Sequence, residues 1–161
     1  MTQIKHVLYW FSMTTIILIT LIGSLVSLTI GTFWYSDKTP MGRLHMQVLG
    51  FDKLSADEQK KLIEEAKPHM WKSFLGQFIL SAMTSFFIAL VSVTGTNNGL
   101  PFSMVIGYAV MAWFCFMVPV IGSSIIWGNI DRKIAWKKFF FDIFSYLITI
   151  GAVLVVARLF V

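Results

Sequence analysis

Charged residues divide the chain into long apolar stretches separated by short polar ones. No acidic or basic side chain occurs between Lys5 and Asp37, and none occurs between Lys72 and Asp131. A last stretch after Asp142 contains Arg158 as its single charged residue. A helix needs about 20 consecutive apolar residues to cross the hydrocarbon core of a bilayer. The pattern therefore predicts helices that span a membrane.

The uncharged run from Lys72 to Asp131 is too long for a single crossing. As one helix it would measure roughly 85 Å, against a hydrocarbon core of about 30 Å. The segment "TGTNNGLP" near its middle is typical of a tight turn, with glycines for positive φ and a proline to open the next helix. The turn-forming residues are Gly95, Asn97, Asn98, Gly99 and Pro101.

Four transmembrane helices follow, at about 8–35, 70–94, 100–127 and 138–160, within a single domain covering 1–161. The composition agrees with this class, because 57% of the residues are hydrophobic, 13% are charged, and the mean hydropathy is +0.75. A water-soluble chain of this length has too little interior to bury so much apolar surface. The predicted fold class is an all-α integral membrane protein, a four-helix bundle. The first apolar segment is too long for a cleaved signal peptide and is expected to remain as a span.

The distribution of lysine and arginine predicts the orientation. Cations collect in the connections after helices one and three, and only Lys5 and Arg158 fall on the opposite side. Positively charged loops stay in the cytoplasm. We therefore expect a multi-pass protein of the cytoplasmic membrane with both termini outside and loops 36–69 and 128–137 inside. Cations at a membrane surface explain the net charge of +5, so no nucleic-acid partner is expected and membrane lipid is.

Tryptophans mark the predicted membrane boundaries. Amphipathic indole rings favour the headgroup layer, and five of the six tryptophans fall close to a predicted helix end. These belt positions are Trp10, Trp34, Trp71, Trp127 and Trp136. Trp113 lies in the middle of helix three, where lipid offers its N–H no acceptor. It is expected to face another helix.

The loop between helices one and two contains the segment "SADEQKKLIEEAK", which predicts a short amphipathic helix at 55–67. Ser55 and Glu58 have the spacing of a capping box, and Pro68 follows the last turn. Leu62 and Ile63 give the helix a thin apolar side, which suits a helix lying on the bilayer. The alternative is that this helix recruits a cytoplasmic protein partner.

Small residues recur at every fourth position on helices one and two. This spacing lets helix backbones approach closely in lipid, where van der Waals contact drives association. The alternative is a hydroxyl-lined solute path along helix one. Because two small-residue faces exceed what one bundle buries, a homo-oligomer is expected. The candidate packing residues are Gly23, Ser27, Gly31, Ser81, Ser85 and, as a kink in helix three supported by Ser123 and Ser124, Pro119.

Asp142 is the only acidic residue within a predicted span. It is placed about one turn into helix four, where the helix dipole and Lys138, four residues earlier, would both stabilise a carboxylate. Tyr146 lies four residues further along the same side. The alternative is a functional site at the cytoplasmic mouth of the bundle, since ionisable groups inside membranes are costly and often functional.

Signatures of catalysis and cofactor binding are missing from the sequence. No histidine lies in a predicted span, because His45 and His69 belong to the cytoplasmic loop and His6 precedes helix one. Axial haem ligands, zinc-binding spacings and Gly-rich phosphate loops are absent. The lone Cys115 is interpreted as a small apolar residue in a helix interface within the third span. The sequence therefore predicts no enzyme, no metal site and no cofactor.

Several aromatic and polar positions resemble a bacterial membrane-protein family, domain of unknown function 1761 (DUF1761). The resemblance rests on "GTFWYS", "AWFCFMVP" and "FFFDIFSYLITIG" in this order, and it covers about residues 22 to 160. This chain departs from the family at Asp37, where a proline is usual, and at His45, where a tryptophan is usual. The matching positions are Trp34, Tyr35, Ser36, Gly42, Gly50, Trp113, Pro119, Asp142, Tyr146 and Gly151.

The resemblance implies a small multi-pass membrane protein and supplies no activity. It places Trp34, Tyr35, Asp142 and Tyr146 near the cytoplasmic ends of helices one and four, where they would form one polar cluster, with Trp113 as a further candidate. The prediction is a homo-oligomeric protein that binds or transports a small solute, an ion or a lipid. The alternative is an accessory or scaffold protein that does not transport.

Overall fold

The computed structural model describes residues 2–126 and 131–161, with side chains from Trp10 onward, and its regular structure is helical. Short 3-10 turns occur at Phe51–Lys53 and Lys67–His69, and a π-helical turn occurs at Trp113–Met117. The helices are α1 (Thr2–Trp34), α2 (Pro40–Val48), α3 (Ala56–Ala66), α4 (Met70–Asn97), α5 (Phe102–Ala112), α6 (Val118–Ile126) and α7 (Arg132–Phe160).

Four helical stretches of the described chain are long and apolar enough to cross a membrane. They are Trp10–Trp34, Ala56–Asn97, Phe102–Ile126 and Arg132–Phe160. The second stretch joins α3 to α4 through the 3-10 turn that contains Pro68. The helical class is confirmed for the described residues. The expected number of helices that could span a membrane is confirmed as well, because the length of each uncharged run determines it.

The fourth span begins earlier than the sequence analysis expected. Helix α7 starts at Arg132, where Asp131 caps it by accepting hydrogen bonds from the backbone N–H groups of Lys133 and Ile134 at 3.0 and 3.2 Å. Asp142 therefore lies ten residues into α7 and not in its first turn. The helix dipole acts within the first turn, so it does not stabilise this carboxylate. Trp127, the expected end of helix three, lies outside the described residues.

The turn between the second and third spans is tighter than expected. Helix α4 continues through Gly95 to Asn97, and only Gly99 takes a positive φ, of 79°. Gly95 remains helical and lies against Val105, so its expected positive φ is wrong. Pro101 occupies the N-cap position of α5, which is consistent with the expected helix start.

The third span changes its helical pitch before its proline. A proline cannot donate the backbone hydrogen bond that continues an α-helix. The chain forms a π-helical turn at Trp113–Met117 directly before Pro119, an arrangement that accommodates one extra residue per turn. Ser124 was expected to bond to the carbonyl that Pro119 frees. It donates instead to the carbonyl of Ile121, at 2.7 Å.

Helix α1 packs most extensively against α4 and α7, and α7 also contacts α2, α5 and α6. Asn97 at the end of α4 donates to Ser12 near the start of α1 at 3.1 Å, which shows that these helices run antiparallel. The best-packed core lies in the half of the bundle near the turn at Gly99. It includes Ile16, Ile19, Ile88, Ala89, Val93, Val105, Ala109, Ile150, Val153, Leu154 and Ala157.

Helix α1 approaches both α4 and α7 closely at Gly23. A Cβ atom at Gly23 would lie 2.9 Å from Oγ of Ser85 on α4 and 3.1 Å from Cγ1 of Val153 on α7. Ser85 is completely buried, and Ser27 and Ser81 are buried close to the same face. These four positions pack between helices as the small-residue spacing indicated.

Gly31 and Pro119 do not pack between helices, which corrects two of the expected positions. A Cβ atom at Gly31 would meet no other described residue within 4 Å, because the face of α1 that is closed at Gly23 opens onto a cavity at Gly31. Pro119 is exposed on the surface of α6. Its role is confined to the backbone of the third span.

The loop at 36–69 contains one expected helix and one that the sequence analysis missed. In α3, Ser55 accepts from the backbone N–H of Glu58, whose carboxylate accepts from the N–H of Ser55, so the predicted capping box is confirmed. Helix α2 was not predicted. Thr39 caps it by accepting from the backbone N–H of Gly42 at 2.9 Å, and its own hydroxyl donates to the carbonyl of Trp34. These bonds hold α2 against the end of α1.

Candidate functional site

The end of α1 is joined to α7 by a hydrogen bond between two distant residues. The hydroxyl of Tyr35, one residue beyond α1, donates to Oδ1 of Asp142 at 2.8 Å. The carboxyl side chain of Asp142 is 13% exposed, so the bond forms largely away from water. A hydrogen bond to an ionised acceptor is stronger than one between neutral groups. This contact fixes the end of the first span to the fourth.

A lysine neutralises the carboxylate from the same helix. Lys138 forms an ion pair with Oδ2 of Asp142 across one turn of α7, as the i, i+4 spacing predicted. Its ammonium also lies 5.9 Å from the ring centre of Tyr35, over the aromatic face. Both carboxylate oxygens of Asp142 therefore have partners, and the three side chains form one compact unit, called here the tyrosine–aspartate junction.

Helix α2 adds a histidine to the tyrosine–aspartate junction. The ring centre of His45 lies 5.3 Å from that of Tyr35, with the planes inclined at 60°. Burial lowers the pKa of His45 below its usual 6.5, nearby Lys138 lowers it further, and Asp142 partly opposes both effects. Nδ1 of His45 is buried without a hydrogen-bond partner among the described residues. The neutral imidazole is thus the favoured form at this position.

A cavity of about 330 Å³, lined by both hydroxyl and apolar side chains, lies between α1, α4, the third span and α7. Tyr35 lines one side of it and Gln77 another, so the cavity adjoins the tyrosine–aspartate junction. Its volume falls within the range of about 300–1,000 Å³ that is common for ligand pockets. We call it the hydroxyl cavity, because its lining is rich in hydroxyl groups, from Ser27, Ser81, Thr84, Ser145, Tyr146 and Thr149.

Three of these hydroxyls donate their hydrogens to the helix backbone. Ser27 donates to the carbonyl of Gly23 at 2.7 Å, and Thr149 donates to that of Ser145 at 2.9 Å. Thr84 makes the same kind of bond, to the carbonyl of Leu80 at 3.3 Å. A hydroxyl oxygen that donates its hydrogen retains two lone pairs. These positions therefore satisfy the helices and still offer acceptors to the cavity.

Two further cavities flank Trp113 and have almost entirely apolar linings. The first, of about 360 Å³, is lined by Phe87, Ala112, Trp113 and Phe116 and is called here the apolar cavity. The second, of about 420 Å³, lies between Trp34, Trp113 and the aromatic residues at the start of α7. Trp113 donates from Nε1 to the carbonyl of Ile143 at 3.1 Å, so it faces another helix as predicted.

The structure divides the five candidate ligand residues into two groups. Tyr35 and Asp142 are hydrogen-bonded, and Tyr146 lines the hydroxyl cavity together with Tyr35. Trp34 and Trp113 do not line the hydroxyl cavity: both line the third cavity, and Trp113 also lines the apolar one. Nε1 of Trp34 is buried without an acceptor among the described residues. The expected cluster thus contains the carboxylate of Asp142 and the phenols of Tyr35 and Tyr146. The expectation that Trp34 belongs to it is wrong.

Sequence reasoning missed several residues of the site. His45 was assigned to a solvated loop, yet it contacts Tyr35 through helix α2. The signal for α2 was present, since Thr39 followed by Pro40 is an N-cap with proline in the first turn. Gln77 and Thr84 were also missed, because nothing in a sequence pattern shows which side of α4 meets α1.

The described residues thus form a helical protein in which four helical stretches could cross a membrane, with a hydroxyl-lined cavity between them. A family match narrows the class: the chain matches the family described as protein of unknown function (DUF1761) over residues 18–155. It therefore belongs to this family, as the resemblance indicated. Neither a curated protein nor a solved structure matches the chain.

Proposed function

We propose that this protein binds a small solute in the hydroxyl cavity and passes it through the membrane. The observation that carries the proposal is the cavity itself, which places polar groups such as Ser81, Thr84 and Tyr146 within the spans. Polar groups are expensive in hydrocarbon and are retained where they face a partner, water or a ligand. Polar residues that only packed the helices together would need no cavity beside them.

Access of water to the hydroxyl cavity tests the proposal. Single cysteines replace Ser81 or Thr84 in a Cys115→Ser background, and a water-soluble methanethiosulfonate reagent is applied to the protein in liposomes. Only a thiolate reacts, and thiolates form where water reaches the sulfur. We expect both cysteines to react. Protection of both would contradict a solute site.

The matched control is Ser92→Cys in the same background. Ser92 lies on α4 like the two test positions, but it is completely buried. It should remain unmodified while the cavity positions react. Equal reaction at all three positions would show general unfolding of α4, which circular dichroism of the same sample detects.

The proposed orientation has both termini outside and loops 36–69 and 128–137 in the cytoplasm, in the cytoplasmic membrane. The excess of lysine and arginine in these loops supports it. The tyrosine–aspartate junction then forms the cytoplasmic end of the solute path. A cysteine at Ser55, modified by an impermeant reagent only after the cells are opened, would agree with this orientation, and modification in intact cells would contradict it.

A homo-oligomer is part of the proposal. Large apolar side chains cover the outside of the spans, including Val120 and Ile126, which are each 71% exposed. Lipid or a second copy would cover them by apolar contact, and we propose that a copy covers part of this surface. Native mass spectrometry of protein released from nanodiscs measures the stoichiometry. A uniform monomer would remove this part of the proposal.

Binding and transport fit the chemistry of the hydroxyl cavity better than catalysis. Among the described residues that line it, tyrosines are the only side chains that titrate. General acid–base catalysis near neutral pH needs a group with a pKa close to the working pH, and a tyrosine is far from it. We therefore propose a protein that is not an enzyme.

A second candidate function is an accessory protein that recruits a cytoplasmic partner through α3. The observation in its favour is that this helix has no buried residue and exposes Leu62 and Ile63 by more than 40% each. Replacing both with serine should abolish co-purification of a partner if recruitment is the function. Unchanged solute passage in the same variant would favour the first candidate.

A further inference from the structure

The hydroxyl cavity and the apolar cavity are neighbours. Four residues line both cavities, namely Met83, Thr84, Met117 and Ile150. A molecule in the hydroxyl cavity therefore contacts side chains that also face the apolar one. Hydroxyl groups lie mostly at the end near Tyr35, whereas the end near Phe87 and Trp113 is almost entirely apolar. This difference matches a ligand that has a polar head and an apolar tail.

The lining of the hydroxyl cavity selects an uncharged head. No acidic, basic or histidine side chain occurs among the described residues that line it, and Asp142 nearby is already paired with Lys138. An ion inside a membrane is strongly disfavoured without a counter-charge. A neutral group that both donates and accepts hydrogen bonds fits better, since the hydroxyl oxygens of Ser27 and Thr149 can accept from it.

The apolar cavity is suited to a hydrocarbon tail. Phe87, Phe116 and Trp113 line it, and the indole N–H of Trp113 is already bound to the carbonyl of Ile143. With that donor occupied, the cavity offers a tail almost only apolar contacts. A tail enters this cavity from the hydrocarbon of the bilayer, so its contacts there change little. Selectivity would then come from the head.

We propose that the ligand of this site is a neutral single-chain amphiphile with a hydroxyl head, of the fatty alcohol or monoacylglycerol class. Its head lies among Ser27, Thr84 and Thr149, and its tail lies between Phe87 and Phe116. The proposal rests on the proposed function, because it names the ligand of the same site. It excludes an inorganic ion as the principal ligand.

The test is photoaffinity labelling of the full chain in nanodiscs. Three probes share one alkyl tail with a diazirine near its end, and their heads are a hydroxyl, a carboxylate and an ammonium. Mass spectrometry locates the labelled residues. We expect the alcohol to label the peptides that contain Phe87 and Phe116 about tenfold more than the charged probes do, and an excess of unlabelled alcohol to suppress this labelling.

Two variants separate the site from general partitioning into lipid. Ala112→Phe fills the apolar cavity and should abolish the saturable labelling. Val120→Phe adds the same bulk on the exposed surface of α6 and should leave it unchanged. Should Ala112→Phe fail to fold, the saturability and the head preference of the unmodified protein still decide the question.

Equal labelling by all three heads, or labelling that excess alcohol does not suppress, would overturn the proposal. Preferential labelling by the ammonium or the carboxylate would also overturn it and would identify a charged ligand. The reaction of cysteines at Ser81 and Thr84 with the water-soluble reagent is independent of these outcomes. Reactive cysteines without selective labelling would refute the amphiphile alone, whereas unreactive cysteines would refute the solute site itself.

Discussion

The hydroxyl of Tyr35 donates a 2.8 Å hydrogen bond to Asp142, and so connects two residues that are 107 positions apart in the chain. The bond closes the bundle at the end where the loops carry most of the charge. The apolar core lies in the opposite half of the bundle. The stability of the site should therefore depend strongly on this hydrogen bond.

Tyr35→Phe is expected to destabilise the protein by about 1.5–3 kcal/mol, the range for a hydrogen bond to a charged group. The phenyl ring retains the packing against His45 and removes only the donor. Thermal unfolding in detergent measures the change. The control is the same substitution in an Asp142→Ala background, where its effect should be small because the acceptor is already gone. Additive effects would contradict direct coupling.

Gly23→Ala and Gly31→Ala form a matched pair on one face of α1. The added methyl group at Gly23 meets Ser85 at 2.9 Å and Val153 at 3.1 Å, so we expect a loss of about 1–3 kcal/mol from overpacking. At Gly31 the methyl group enters open space, and the better helix propensity of alanine should stabilise the protein by up to about 1 kcal/mol. Chemical unfolding of both variants in the same detergent compares them. Equal destabilisation would contradict the divergence of α1 from its neighbours at Gly31.

The pH dependence of stability should include a contribution from His45. Its pKa is lowered on folding, so the unfolded chain binds more protons than the folded one between the usual 6.5 and the lower folded value. This contribution is fully present above pH 6.5 and is lost as the pH falls through that window. Unfolding at a series of pH values should show the loss in the unmodified protein and not in His45→Gln.

The control for the histidine is His69→Gln, which changes an exposed residue of the same loop. It should leave the pH profile unchanged. A profile that responds to His69 and not to His45 would contradict the packing of α2 against the tyrosine–aspartate junction, where Lys138, Asp142 and Tyr35 surround the imidazole.

Cys115 is exposed on the surface of the third span and does not lie in the expected helix interface. In a bilayer it should still resist water-soluble thiol reagents, because hydrocarbon around the third span would exclude them. Ser55→Cys in a Cys115→Ser background provides the exposed control at the cap of α3. Mass spectrometry after brief labelling should find the control modified and Cys115 free. Modification of Cys115 at the rate of the control would show that the third span does not lie in lipid.

The helices and their number could be predicted because charge and hydropathy act locally. The uncharged runs before Asp37 and after Lys72 predicted the spans. The capping box at Ser55 predicted the start of α3. The start of α7 was placed too late, since Lys133 and Lys137 were attributed to a loop. Charged residues continue a helix beyond the apolar core without difficulty when a residue such as Asp131 caps it.

The composition of the site depended on helix rotation, which the sequence does not reveal. Trp34 and Tyr35 are neighbours, and successive residues near a helix end point about 100° apart. Tyr35 therefore reaches Asp142, while Trp34 lines a different cavity that Trp113 also lines. The same reasoning explains Gly31, because a face that packs at Gly23 loses its neighbour where the helices diverge. Only the distances between helices decide such questions.

The π-helical turn at Trp113–Met117 has a consequence for how the third span presents its two ends. Winding the same residues as a regular α-helix would rotate α6 about its axis by roughly 100° relative to α5, because a π-helical turn holds about one residue more than an α-helical turn. Met117 would then leave the wall shared by both cavities, while Trp113 kept its bond to Ile143. The irregular turn thus sets the rotation of α6 relative to α5. It allows α6 to pack against α7 while α5 lines the apolar cavity.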